Sequence, residues 1–145
     1  MGKASAGRTS RAVGGWLLAV GWWLWALGCA GGYDAQTSLR NSVDEFHEGF
    51  RWGAMGSMIP HVPSADRGTF AVDYEARMDG VSMADYEVSR VVIAEDSQSA
   101  RVWVRLAWFR ASEMELREAV VREEWLRDGS NWLRTEFEVE RGELP

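Results

Sequence analysis

Residues 36–58, QTSLRNSVDEFHEGFRWGAMGSM, carry the pattern on which the fold assignment rests. Apolar residues recur there at spacings of three and four, which is typical of one face of an amphipathic helix. These apolar positions are Leu39, Val43, Phe46, Phe50, Ala54 and Met58. Several glycines weaken the C-terminal part, and Pro60 and Pro63 stop the pattern. The stretch therefore predicts one helix to about Trp52 and a short second helix after it.

The residues that follow change from a helical period to an alternating one. Ser64 or Asp66 can cap a third helix, which Asp79 and Gly80 end. Apolar residues then alternate or run together as they do in strands. The predicted extended segments are 86–92, 102–108, 114–126 and 132–137, with turns at 96–99 and 128–130. Helices followed by strands predict an α+β domain, with N-terminal helices packed on a curved four-stranded antiparallel sheet.

The N-terminus has the composition of an export signal. Residues 1–11 are polar and basic, and residues 12–28 are apolar and free of charge. Residues 25–29, WALGC, resemble a bacterial lipobox, although Ala26 stands where the commonest lipoboxes carry Leu. The resemblance implies cleavage before Cys29 and acylation of its thiol. The apolar run can also just span a bilayer, so an uncleaved signal anchor is the alternative.

These features predict a division of the chain and a location. We expect a signal peptide at 1–28, a lipidated tether at 29–35 and one α+β domain at 36–145. The protein is then a lipoprotein of the bacterial cell envelope. By resemblance to enteric lipoproteins, Ala30 after the cysteine favours the outer membrane over the inner membrane.

The charge of the mature part limits its partners. The formal charge of −6 becomes −9 without Lys3, Arg8 and Arg11, the only charged residues before Cys29. An acidic surface with no basic run repels the phosphate backbone, so a nucleic-acid partner is not expected. Contact with the membrane is expected through the lipid anchor alone.

The order of the elements resembles the nuclear transport factor 2-like superfamily, in which a curved antiparallel sheet wraps around N-terminal helices into a cone. Four pieces carry the resemblance: residues 46–59 as the first helix pair, 85–88 at the opening of the sheet, and 125–129 followed by 132–133 as the closing hairpin. The superfamily includes ketosteroid isomerases, polyketide cyclases and members without a catalytic role. The resemblance therefore implies the fold and leaves the activity open.

The sequence offers no set of metal ligands and no cofactor motif, so neither a metal nor a cofactor is expected. His47 and His61 are far apart in the chain, and Cys29 is assigned to the anchor. His47 lies beside Phe46 and Glu48 on the first helix. We interpret it as an ordinary, partly exposed histidine.

An enzyme of the isomerase type would need a carboxylate base and a neutral donor inside an apolar cavity. The candidates are Asp85, Tyr86, Tyr74 and Glu123. Glu123 and Glu124 are adjacent in a predicted strand, so one of them points to each face of the sheet. The simpler interpretation is that Glu124 or Glu123 is a solvated charge that faces an arginine of a neighbouring strand, such as Arg105 or Arg110.

Strand aromatics are the other candidates for a binding site. Trp103, Trp108, Trp125 and Trp132 can line a pocket, although such residues more commonly fill the core. Two functions follow. The first is a non-enzymatic binding or interaction module for a small apolar ligand or an envelope protein. The alternative is a small isomerase or cyclase that uses an inward carboxylate in the cone.

Overall fold

The computed structural model describes residues 30–113 and 115–145. The predicted signal peptide and Cys29 lie outside these residues. Within the described part of the chain, no helix is long and apolar enough to cross a membrane.

In the described residues before the sheet, from residue 30 onward, there are three α-helices. They are α1 (Ala30–Trp52), α2 (Met55–Met58) and α3 (Arg67–Met78), with a 3₁₀ turn at Ile59–His61 after α2. The predicted end of the first helix at Trp52 and the short helix after it are confirmed. Gly53 allows the break because its φ of 68° is a left-handed conformation, which costs little without a Cβ.

The first helix begins earlier than the sequence pattern indicates. Residues 30–35, which fall in the tether predicted at 29–35, belong to α1. Two contacts favour helix there: Ala35 is fully buried in the core, and Asp34 Oδ2 accepts a 2.8 Å hydrogen bond from Arg127 Nη2. The folded part therefore extends closer to Cys29 than expected.

The four strands form one antiparallel sheet in chain order, so the predicted α+β class is confirmed. They are β1 (Val81–Ile93), β2 (Ser99–Arg110), β3 (Arg117–Asp128) and β4 (Asn131–Gly142). The turn between β3 and β4 contains Gly129 with a φ of 63°, as its Asp-Gly sequence predicts.

One face of the sheet packs against the helices and the other faces solvent. The buried side chains of the inner face include Val102, Val104, Leu106, Trp108, Val121, Trp125 and Trp132. They contact the apolar stripe of α1, so that one core holds the helices and the sheet together. The outer face carries ion pairs between neighbouring strands, such as Glu87 with Arg105 and Arg122 with Glu138.

A β-bulge in β4 determines which of its side chains face inward. Trp125 of β3 lies opposite Arg134, and Glu124 lies opposite Glu136, so Thr135 is the extra residue. Past the bulge, Phe137 lies opposite the inward residue Glu123. Arg134 and Phe137 therefore face the same side, although they are three positions apart and a regular strand would place them on opposite faces.

Candidate active site or ligand cavity

A cavity of about 110 Å³ lies between the helices and the inner face of the sheet. The helical wall is mainly aromatic. The helical residues that line it include Phe46, His47 and Phe50 from α1 and Phe70, Tyr74 and Met78 from α3. Tyr74 donates a hydrogen bond of 3.0 Å to the backbone oxygen of Phe50, which ties the two helices together at this wall.

The sheet and the C-terminal residues complete the cavity. The sheet residues are Leu106, Val121, Glu123, Arg134 and Phe137, and Leu144 and Pro145 contribute from beyond β4. A strand places alternate side chains on one face, so Val121 and Glu123 of β3 both face the cavity. The bulge at Thr135 adds Arg134 and Phe137 to the same surface. The cavity is therefore apolar except for a small group of charged side chains.

Glu123 is the centre of that group. It is fully buried, and both carboxylate oxygens accept hydrogen bonds. Oε2 accepts from His47 Nε2 at 3.1 Å and from Trp125 Nε1 at 3.0 Å. Oε1 accepts from Arg134 Nη1 at 3.1 Å. Of the two candidates for a solvated strand charge, Glu123 is excluded because it is buried, and three donors compensate its burial.

The same contacts determine the charge of Glu123. Burial alone raises the pKa of a carboxyl group, but the charges and hydrogen bonds of His47 and Arg134 outweigh it and hold the pKa of Glu123 at about 2. Glu123 is thus a carboxylate near neutral pH. A general base requires a pKa near the working pH, so this carboxylate accepts a proton poorly.

His47 is buried, contrary to the partly exposed position expected from the sequence. Only 2% of its surface is accessible. Its ring packs edge-on to Phe46 and stacks on Tyr86 at a centroid distance of 5.3 Å. Nε2 faces Glu123, and Nδ1 is shielded from solvent with no hydrogen-bond partner among the described residues. Neither ring nitrogen is open to a molecule in the cavity.

Arg134 is one of the two arginines that line the cavity, and aromatic rings surround it. Its Cζ atom lies 4.5 Å from the ring centroid of Phe46, 4.9 Å from that of Phe137 and 5.9 Å from that of Phe70. Cation–π attraction of this kind stabilises a guanidinium away from bulk water. The side chain is 15% exposed, so it remains reachable from outside.

The four tryptophans predicted as possible lining residues lie elsewhere. Trp108, Trp125 and Trp132 are fully buried in the core, and Trp103 lies on the outer face, where its Nε1 donates to Glu140 at 3.0 Å. None of the four is among the residues that line the cavity. The rings of the wall come instead from phenylalanines of the helices and of β4, together with His47 and Tyr74.

Two of the other sequence candidates contribute to the cavity and two do not. Glu123 and Tyr74 line it, whereas Asp85 is exposed and pairs with Arg51 at 3.4 Å. Tyr86 stacks on the far side of His47 rather than lining the cavity. Burial raises the pKa of Tyr74, so its hydroxyl stays protonated as a hydrogen-bond donor.

Glu124 lies on the outer face, as alternation with Glu123 predicts. Its nearest cation is Arg122 at 4.0 Å, not Arg105 or Arg110. His61 is also buried, and its Nδ1 lies 3.0 Å from the backbone oxygen of Trp132. Within residues 30–113 and 115–145, no group of three or more His, Cys, Asp and Glu could hold a metal ion.

Sequence reasoning missed Arg134, Phe70 and Phe137. Phe70 lies in the predicted third helix, four residues before Tyr74. That helical spacing was the one signal that both rings lie on the same face of the helix. Arg134 and Phe137 gave no signal, because strict alternation along β4 places them on opposite faces. Only the bulge brings them together.

No protein-family model matches the sequence, and no curated protein matches it either. Solved structures do match the fold. A ketosteroid isomerase-like protein from Erwinia carotovora has a TM-score of 0.55 and 13% identity, covering 70% of this chain and 91% of its own. A polyketide cyclase candidate from Xanthomonas campestris has a TM-score of 0.51 and 13% identity, covering 71% and 92%.

A third match is a protein of unknown function with a cystatin-like fold from Nostoc punctiforme. Its TM-score is 0.54 at 15% identity, and the match covers 76% of this chain and 93% of that one. Identities this low show the fold alone. The chain therefore has a nuclear transport factor 2-like fold, as the order of its elements implies.

Proposed function

We propose that this domain binds a small, largely apolar organic molecule in the cavity and does not transform it. The main support is the combination of an aromatic cavity with a carboxylate whose two oxygens are already occupied by donors. Ligand sites are typically concave and apolar, with a few polar groups that fix orientation. We further propose that the domain acts at the bacterial cell envelope, held there by lipid on Cys29.

The isomerase or cyclase alternative has one observation in its favour, which is the convergence of His47 and Glu123 beside the cavity. Catalysis by this pair would need one free basic atom. Glu123 has a pKa of about 2, and neither nitrogen of His47 is open to a ligand. The pair is therefore better suited to holding Arg134 and the cavity wall in place than to moving protons.

Calorimetry on the whole chain in lipid nanodiscs tests the binding proposal, with empty nanodiscs as the blank for partitioning. Benzyl alcohol serves as the probe, because it has one ring and a single neutral polar group. We expect saturable binding that Phe137→Trp weakens, since a larger ring at this position takes up cavity space. Phe109→Trp is the matched control, because Phe109 lies next to the inward residue Trp108 and faces the opposite side.

Binding that is absent, or weakened equally by both variants, contradicts the proposal. A separate assay addresses the enzyme alternative. A 3-oxo-Δ5-steroid incubated with the protein should be recovered unchanged, at the same level as with Glu123→Gln. Conversion that depends on Glu123 establishes the isomerase function instead.

A further inference from the structure

Arg134 has unused hydrogen-bonding capacity in a cavity whose wall is mainly aromatic and aliphatic. A guanidinium group offers five N–H donors in a planar fork. In the described part of the chain only Nη1 is engaged, by Glu123 Oε1 at 3.1 Å. The donors of Nε and Nη2 have no protein partner there.

These free donors can be reached by a ligand. Among the buried side-chain atoms of the described residues, the ones that lack a hydrogen bond are His47 Nδ1 and His61 Nε2, and no atom of Arg134 belongs to this group. The remaining donors of Arg134 are thus accessible, and Arg134 lines the aromatic cavity and a second, adjoining cavity of about 270 Å³. An accessible guanidinium edge between aromatic rings is complementary to a planar anion.

We infer that the ligand is a small carboxylic acid, with its apolar body in the aromatic cavity and its carboxylate on the free edge of Arg134. This inference rests on the proposed binding function and adds the chemical class of the ligand. Arginine and carboxylate form charge-assisted, bidentate hydrogen bonds, which are stronger than neutral ones. Arg134 is well prepared for this role, because Glu123 and the phenylalanine rings of residues 46 and 137 already fix its guanidinium.

The size of the cavity limits the apolar part of the acid. An apolar cavity of about 150 Å³ holds one benzene molecule. The present cavity of about 110 Å³ is smaller, so it holds a single ring only if the polar end of the ligand extends out of the cavity. The adjoining cavity shares Phe70, Asp73, Arg134 and Phe137 with the first, so the carboxylate has room beside Arg134.

Three carboxylates lie close to this site. Asp66, Asp73 and Glu136 line the second cavity, and all three are exposed. Hydrated charges are screened over about 8 Å at physiological salt, whereas a direct contact with Arg134 is screened much less. These carboxylates would favour an ammonium ligand over a carboxylate, so an amine is included as a probe for that alternative.

Calorimetry on the whole chain in nanodiscs distinguishes an anionic ligand from a neutral one and from an ammonium. The three probes have nearly equal shape: benzoate, benzamide and benzylamine. We expect benzoate to bind about tenfold more tightly than benzamide or better, and benzylamine to bind most weakly. Equal binding of benzoate and benzamide, or tightest binding of benzylamine, overturns the inference but leaves the cavity as a ligand site. Binding of none of the three contradicts the proposed function itself.

Variants then locate the anion contact. Arg134→Lys keeps the charge and removes the planar fork, so the preference for benzoate over benzamide should fall toward unity. Arg77→Gln removes the other cation of the cavity and should leave that preference intact. If the preference for benzoate is lost in Arg77→Gln and kept in Arg134→Lys, the carboxylate binds Arg77 and the inference about Arg134 is wrong. If Arg134→Lys does not fold, the comparison of the three ligands on the wild-type protein still decides the question.

Discussion

His47 Nε2 and Glu123 Oε2 lie 3.1 Å apart, although 76 residues separate the two side chains along the sequence. The contact joins α1 to the middle of β3, and both residues line the cavity. Both side chains are almost completely shielded from solvent, so the pair is stable only because Arg134 and Trp125 supply further hydrogen bonds. The cavity wall and the folded state therefore depend on the same group of residues.

Glu123→Gln should lower the free energy of unfolding by about 3 to 5 kcal/mol at neutral pH, because it leaves the cation Arg134 without its buried counter-charge. Chemical denaturation monitored by circular dichroism measures the change. Glu124→Gln is the matched control on the outer face and should change stability by no more than about 0.5 kcal/mol. Equal losses in the two variants would show that burial of Glu123 does not matter.

Acid should remove the contribution of Glu123. Its pKa is depressed from 4.5 to about 2 by folding, so the stabilisation is complete above about pH 4.5 and is lost as the pH falls toward 2. Denaturation curves recorded across this interval should show a steep decline for the wild type. Glu123→Gln should decline less steeply, and parallel pH profiles for the two proteins would refute the ion-pair assignment.

Trp132→Ala should destabilise the domain by about 3 to 5 kcal/mol, since the indole is fully buried and its Nε1 donates to Ser38 Oγ at 3.0 Å. Trp52→Ala is the control, because 69% of that side chain is exposed. Thermal unfolding measures both. A small effect at Trp132 would mean that the side chain does not fill the core.

Two left-handed glycines should respond differently to alanine. Gly129 has a φ of 63°, and a Cβ there would have no atom of the described residues within 4 Å, so Gly129→Ala should cost about 1 kcal/mol through its backbone alone. At Gly142 the φ is 77° and a Cβ would clash with the backbone oxygen of Glu118. Gly142→Ala should therefore cost about 2 kcal/mol or more. Denaturation midpoints of the two variants give the comparison, and equal midpoints would contradict the close approach at Gly142.

Cys29→Ala should abolish acyl labelling and leave an unprocessed precursor, because no other residue of the chain can accept a thioether-linked lipid. Mass spectrometry of the mature N-terminus from membranes measures both. Normal processing of the variant would refute the lipoprotein assignment and favour the uncleaved anchor.

Local periodicity accounts for most of the fold that the sequence predicted. Apolar residues at spacings of three and four can form one buried stripe only in a helix, which fixed α1 to its end at Trp52. Alternation in the second half fixed the strands, and Asp128-Gly129 fixed the last turn because glycine adopts a positive φ readily. Alternation also required Glu123 and Glu124 to lie on opposite faces, which is a property of any strand.

Tertiary structure decided everything that makes the cavity. Alternation separates two adjacent residues but does not say which of them faces the helices, so the inward position of Glu123 depends on α1 supplying His47. A bulge depends on how β4 pairs with β3, and the extra residue Thr135 turns Arg134 and Phe137 to the same side. A buried carboxylate is stable only where distant donors converge on it, and contacts between residues that far apart in the chain leave no periodic trace in the sequence.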